Sequence, residues 1–499
     1  MIDRLRRAVK RLSPGGTVAQ RAIKGGAWVG SMNVLGRVLQ LATILVLARL
    51  LGPTAFGVFG IATLAIHAFQ RLTQMGLDEA LVSNREDDVN AYLDTAWTLR
   101  LIRGLTLAAV VYFSAPFIGS VFDAPNVVPV IRVLGIVPLL GGIQNPGIVY
   151  FSKDMAFHKQ FGLQMGARLF ETAVSLGIAL YDPTIWALVG GLLANKAARV
   201  VVSYLLHDYR PRVALDVGRA SEMLDYGRWI FVSGALSYLS NEGDDAFVGW
   251  FLGSTALGYY TLAFRLSNAP ATEVTHTISQ TVFPAYAKLQ DELESLKTGY
   301  ANTLQVTTLV SFPMAAGIAV VAEPFTRVVL GTDWLPMVVP LQLLAVYGLL
   351  RSVRSTAIPL FRAVGKPNYE TVTRTLNVGV MFLALYPLSA AYGLAGTVGA
   401  TVVGAAIATP VAGLFVVRIL EGGAFDLLSR VFYPAAASAL MLAAVVAVQN
   451  ATAEYGALVT LVLSILTGAV VYPVVVLLAD RQFDVGLDRL VQTVKNGVR

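Results

Sequence analysis

Arginine recurs inside stretches of this chain that are otherwise almost wholly apolar. Arg37 lies near the middle of one such run, Arg100 and Arg103 sit one helical turn apart in another, Arg351 and Arg354 do the same in a third, and Arg265 falls in a fourth. A charge at the centre of a bilayer costs about 2.5–3.5 kcal/mol on insertion scales, so it faces a cavity or a partner rather than lipid. Guanidinium is planar, permanently charged and able to meet two oxygens at once, so these positions offer binding of a phosphate or diphosphate. Arg49 ends a helix and is expected to snorkel to the surface. Arg168 and Glu171 share one helix face, where they either neutralise each other or touch a ligand.

Acidic chemistry is concentrated at one place. Asn241, Glu242, Asp244 and Asp245 follow one another within an apolar run. Three acids in little more than a turn cannot all stay charged in a dry environment. They bind Na⁺, carry a proton, or pair with Arg37 or Arg265, and the residues alone leave all three open. Glu273 and His276 repeat the pattern more weakly, while His67, His158 and His207 are isolated and show no metal-ligand spacing. Gly393, Gly396 and Gly399 read as close helix packing, because no strand precedes them and no Gly-Lys-Ser/Thr follows. There is no cysteine, which excludes disulfides and thiolate chemistry. With no nucleotide motif, direct ATP coupling is not expected. No catalytic residue and no cofactor is expected, beyond H⁺ or Na⁺ as a coupling ion.

The elements that carry these residues are membrane helices. The 499 residues are 56% hydrophobic and 14% charged, against about 25% charged in soluble proteins. Fourteen apolar runs near the roughly 20 residues a bilayer demands centre on 26–48, 55–75, 94–118, 127–150, 160–181, 184–206, 226–252, 256–284, 300–322, 337–360, 370–390, 393–417, 431–449 and 456–479. The eighth is expected to break near Pro270. Lys and Arg alternate between loops: Lys153, Lys159, Arg210, Arg212, Arg219, Lys288, Lys297, Arg362, Lys366, Arg418 and Arg430 fall on one side. The turns at Asp123, Asp182, Ser254, Ser389 and Glu454 carry almost none, Arg327 excepted. Cytoplasmic loops hold the excess of Lys and Arg, so both termini are expected inside. The net charge of +7 is thereby spent on membrane lipids and topology, which argues against a nucleic-acid partner. Residues 1–12 place Ile2, Leu5, Val9 and Leu12 at helical spacing among five Lys and Arg. They form either an amphipathic helix on the anionic inner leaflet or a plain basic topogenic tail.

The strongest organisational feature is a repeat. Residues 51–62 (LGPTAFGVFGIA with its preceding Leu50) recur as 252–263 (LGSTALGYYTLA), each joining two apolar runs through a Leu-Gly turn. The first and seventh spans open the copies, an even number of crossings apart, so the halves run parallel about an axis along the membrane normal. This divides the chain into a basic segment 1–24, six-helix lobes 25–210 and 211–425, two added helices 426–480 and a tail 481–499.

At this level the chain resembles a known family. "LARLLGPTAFGVFG", "IWALVGGLLANKAARVVVSYLLHDYRPRV", "FLGSTALGYYTLAFRLSNAP", "VFPAYAKLQDE", and "AVGKPNY" followed by "YGLAGTVGATVV" are similar, in order and spacing, to Wzx-type O-antigen and teichuronic-acid flippases. These belong to the multidrug/oligosaccharidyl-lipid/polysaccharide exporter superfamily. The resemblance implies an all-α, V-shaped, two-lobed transporter in the cell membrane that moves a polyprenyl-linked oligosaccharide outward. Polysaccharide-assembly proteins would be its partners. No site residue is carried over by the resemblance; a carrier phosphate is what Arg37, Arg100, Arg103, Arg265, Arg351 and Arg354 would meet, with Glu242, Asp244 and Asp245 serving ion coupling or a salt bridge. Two other classes compete: a cation-coupled drug exporter, which favours an aromatic and acidic cavity, and a membrane glycosyltransferase or ligase, which needs a catalytic outer loop that these short turns do not supply.

Overall fold

The computed structural model describes residues 18–73, 90–154, 156–216, 218, 238–422 and 424–483. The basic segment 1–12, the acidic loop 78–89 and the tail beyond 483 lie outside them. Among the described residues the chain is all-α, and the described part of each of the fourteen expected spans falls on helix. Eight stretches are long and apolar enough to cross a membrane by length and composition. Two of these, Val34–Leu72 and Pro367–Leu420, far exceed the roughly 30 Å hydrocarbon core, and each is broken into two crossings by a glycine.

Those breaks follow from backbone sterics. Gly52 (φ 72°) and Gly253 (φ 85°), the glycines of the two Leu-Gly turns, both take left-handed conformations, which cost little without a Cβ. Gly393 does the same (φ 57°, ψ −134°) inside Pro367–Leu420. It therefore turns the chain, and the expectation of simple packing holds instead for Gly396, whose Cβ would overlap the Leu388 carbonyl. The Ser254–Leu289 helix continues through Pro270 without the expected break; membrane helices tolerate proline where neighbours re-satisfy the freed backbone groups.

The chain divides into two compact units, Met1–Gly258 and Tyr259–Arg499. In the first, the two copies of the repeat meet at equivalent residues. Thr54 Oγ1 and Thr255 Oγ1 hydrogen-bond at 3.0 Å. A Cβ on Gly57 would overlap the Ser254 carbonyl, and a Cβ on Gly258 would overlap the Pro53 carbonyl. Each partner thus does to the other what the other does to it, a local two-fold relation that only glycine permits. Elsewhere in this unit Phe157–Tyr181 packs along Trp186–Leu206 and against Val18–Leu72, with Thr43 Oγ1 bonded to Thr172 Oγ1 at 3.0 Å. Gly104 and Gly142 admit the backbones of Pro138 and Arg100, drawing Asn90–Val121 onto Ile136–Ile143.

In the second unit Leu293–Phe325 is the hub, packed on Val338–Ser355, Ala424–Thr452 and Ala457–Phe483. Side chains bond the last two helices to it: Arg430 Nη1 donates to Gln305 Oε1 at 2.7 Å, Gln449 Nε2 to the Val320 carbonyl at 2.9 Å and Tyr472 Oη to the Leu309 carbonyl at 2.7 Å. Tyr300, Leu360, Phe361, Val416 and Leu420 form its core. Phe113, Leu180, Leu383 and Phe432 lie exposed on the helix exteriors, as a lipid-facing surface requires.

Candidate functional site

The first unit holds Arg37, Arg100, Arg103, Glu242, Asp244 and Asp245; the second holds Arg265, Arg351 and Arg354. Arg37 is half-buried on the helix that leads to Gly52. Arg103 has a structural occupation. Its Nη2 donates to the Gln70 carbonyl at 2.7 Å and its Nε to Thr73 Oγ1 at 3.1 Å, so it caps the end of Val18–Leu72, where the helix dipole favours a cation. Arg100 stands one turn before it and within electrostatic reach. Asp244 and Asp245 are buried and Glu242 half-buried. Tyr238, one turn before Glu242, donates its hydroxyl to the Leu64 carbonyl at 2.9 Å and lies in the field of Glu242 and Asp245. This fastens the acidic turn to the second span.

In the second unit Arg351 and Arg354 are joined by a guanidinium not singled out in the sequence, that of Arg374. Nη1 of Arg354 is buried with no hydrogen-bond partner. Arg374 stands seven places into Pro367–Leu420 and shares its face with Asn377, whose Oδ1 is likewise buried and unbonded. Arg265 is exposed on Ser254–Leu289.

Arg168 and Glu171 do pair, at 3.1 Å, and Asn195 Nδ2 donates to the same carboxylate oxygen at 2.8 Å. Lys196 and Arg199, on the adjoining helix, act electrostatically on this pair. Both are legible as charges three residues apart in an apolar run, and sequence reasoning passed over them because they sat inside a packing motif.

A second polar assembly was also missed. Residues 207–216 run without helix across the ends of the first unit's spans. Asp94 Oδ1 accepts from Tyr209 Oη at 2.6 Å and from the Arg212 amide at 2.8 Å. Thr98 and Thr95 accept the Ala214 and Asp216 amides at 3.1 and 3.3 Å, and Asn145 Nδ2 donates to the Tyr209 carbonyl at 2.8 Å. His207 Nδ1 accepts the Tyr209 amide at 3.1 Å, with its ring stacked on Tyr150. Burial, then Lys159, hold the His207 imidazole below its ordinary value, while burial and Asp94 push the Tyr209 phenol up. Among the described residues no group of three or more His, Cys, Asp and Glu could hold a metal ion.

Comparison with known proteins adds the lineage. The family model described as polysaccharide biosynthesis protein matches residues 46–339. The lipopolysaccharide biosynthesis protein WzxC of Escherichia coli K12 is 26% identical over 77% of this chain and 78% of its own. The teichuronic acid biosynthesis protein TuaB of Bacillus subtilis 168 is 22% identical over 67% of this chain and 70% of its own. A solved structure of the lipid II flippase MurJ, in an inward closed conformation, superposes with a TM-score of 0.72 over 91% of this chain and 98% of that one. At 14% identity that likeness is one of fold.

Proposed function

The chain belongs to the polysaccharide biosynthesis protein family, and from that premise we propose that it is a flippase of the multidrug/oligosaccharidyl-lipid/polysaccharide exporter superfamily. It moves a polyprenyl-(di)phosphate-linked oligosaccharide from the cytoplasmic to the outer leaflet of the cell membrane, for surface polysaccharide or glycoprotein assembly. The observation that carries this reading is the kinship, over 77% and 67% of this chain, with proteins named for lipopolysaccharide and teichuronic acid biosynthesis. A fold shared with a lipid II flippase supports it.

The physical roles follow from the residues. Lobes 25–210 and 211–425 alternate access between the two sides of the membrane, with both termini cytoplasmic. A carrier phosphate has to lose water in the bilayer, and arginine within the spans replaces that hydration with charge-assisted bonds. Arg37, Arg100, Arg265, Arg351 and Arg354 are the candidates; Arg103 is held chiefly by its helix cap. The buried Asp244 and Asp245 with Glu242 carry the coupling ion, H⁺ or Na⁺, and polysaccharide-assembly proteins receive the product. The protein is a transporter and no enzyme.

Reconstitution tests it. Proteoliposomes loaded with a fluorescent undecaprenyl-diphosphate oligosaccharide should move label between leaflets faster than protein-free vesicles. Absence of that movement, with a cationic dye carried instead, would replace the reading with that of a cation-coupled exporter, which the buried acids would then serve.

A further inference from the structure

Spans five and six of the first unit hold more positive charge than they neutralise. Arg168 and Glu171 lie on Phe157–Tyr181, Lys196 and Arg199 on Trp186–Leu206. Arg168 Nη1 and Asn195 Nδ2 both bond Glu171 Oε2, at 3.1 and 2.8 Å. Lys196 and Arg199 feel each other, Arg168 and Glu171, and among the described residues Glu171 is the carboxylate that acts appreciably on either. Three cations against one carboxylate leave a net charge of +2 (3 − 1). Nε of Arg199 is buried with no hydrogen-bond partner, so part of its donor fork is unused.

The position adds weight. At about 1.5 Å per residue, Arg168 lies roughly 16 Å along its helix, and Lys196 and Arg199 roughly 15 and 20 Å along theirs. All three therefore sit near the middle of the crossing, where uncompensated charge is most costly. Packing does not call for them: Gly190, Gly191 and Ser175 already let the two helices approach closely.

We propose that Arg168, Lys196 and Arg199 form an oxyanion-binding site within the first unit, with Glu171 as a resident counter-anion that an incoming phosphate or carboxylate displaces from Arg168. The site rests on the flippase reading, since it takes an anionic group of the transported molecule. Arg199 offers the unused edge of its guanidinium to two oxygens, Lys196 adds a point charge, and Asn195 keeps Glu171 oriented after displacement. The oxyanion comes from either the carrier phosphate or an acidic sugar of the glycan; both present a two-oxygen edge.

The test uses the purified full chain in detergent and titration calorimetry with two probes, undecaprenyl phosphate and octyl glucuronide. The Lys196→Gln/Arg199→Gln double variant should bind the probe that occupies the site about tenfold or more weakly, and Arg199→Lys should recover part of the loss. Glu171→Gln should bind the same probe several-fold more tightly, because the competing charge is gone while an amide oxygen still accepts from Asn195. A merely structural role predicts the opposite sign for Glu171→Gln, since removing half of an ion pair would loosen the site. Thermal melting of each variant reports folding, and Glu171→Gln with Arg199→Lys carries the test should the double variant not fold. Loss confined to undecaprenyl phosphate assigns the carrier, and loss confined to octyl glucuronide assigns the glycan. Unchanged affinity in the folded double variant, weaker binding in Glu171→Gln, or no binding of either probe by the wild-type protein overturns the site. Intact, variant-sensitive binding without lipid-linked glycan movement in proteoliposomes would instead overturn the flippase reading alone.

Discussion

Replacing Gly57 by alanine should force apart the two copies of the repeat. A Cβ there would lie 3.1 Å from the Gly258 amide nitrogen and would overlap the Ser254 carbonyl; the reciprocal Cβ on Gly258 would lie 3.1 Å from the Gly57 nitrogen and overlap the Pro53 carbonyl. The obstructing atoms are backbone, so no side-chain rotation relieves them. Carbon–oxygen contacts settle at about 3.3 Å or more, which requires the helices to part by more than about 1 Å. Overpacking of this kind costs about 1–3 kcal/mol, and the 3.0 Å Thr54–Thr255 hydrogen bond would be stretched beyond bonding distance. If the close approach belongs to one of two transport states, that energy moves their ratio by roughly 5- to 150-fold. The absence of native cysteine makes the measurement direct: Thr54→Cys/Thr255→Cys should cross-link readily under mild oxidation, and adding Gly57→Ala should reduce the yield severalfold. Gly36→Ala is the control, because nothing lies within 4 Å of its Cβ. Equal cross-linking with and without Gly57→Ala would refute the reasoning.

Other expectations are independent of that contact. The neutral His207 ring accepts the Tyr209 amide and titrates below 6.5, so its contribution is complete above pH 6.5 and is lost as pH falls through the lower folded value. Hydrogen exchange at residues 209–216, corrected for intrinsic rate, should accelerate over that fall, and Asp94→Asn should produce the same loss at neutral pH; a flat profile in both would sink the idea. Asp244→Asn and Asp245→Asn should stop glycan export while protein still reaches the membrane; missing protein would show a folding role, and full export would remove both from coupling. Arg103→Ala should destabilise by about 1–3 kcal/mol, because it strips a charged donor from the end of a helix, and this is read as melting temperature. Arg37→Ala should instead melt nearly as wild type and leave lipid-linked oligosaccharide on the inner leaflet, with Arg37→Lys a partial rescue; full surface glycan at normal expression would clear Arg37 of a role. Arg499→Cys should resist an impermeant thiol reagent in intact cells, and labelling there would sink the cytoplasmic placement of that terminus.

How far the chain could be read in advance depends on the range of the physics involved. Gly52 and Gly253 were legible as turns because a left-handed residue between two apolar runs needs glycine, and the requirement is local. Gly393 looked identical to Gly396 and Gly399 by spacing, yet only the structure separates a backbone turn at Gly393 from a close approach at Gly396. Spans were legible because lipid imposes one length and one composition on each crossing. The destinations of charges were not, since they depend on which helix lies alongside. Arg103 carries the same signal as Arg100, but it faces the end of a neighbouring helix and caps it. Asp94 reads as an ordinary acid beside a span until residues 115 positions away bring Tyr209 within 2.6 Å. Lys196 and Arg199 make the point in reverse. Their presence in an apolar run was visible, while their significance lies in a shortage: one carboxylate, Glu171, serves three cations. A membrane makes each buried charge conspicuous in sequence, because lipid cannot solvate it. Whether that charge is paired, and so structural, or left over, and so available to a ligand, is settled only by packing; the surplus, rather than the charge itself, is therefore the feature to test.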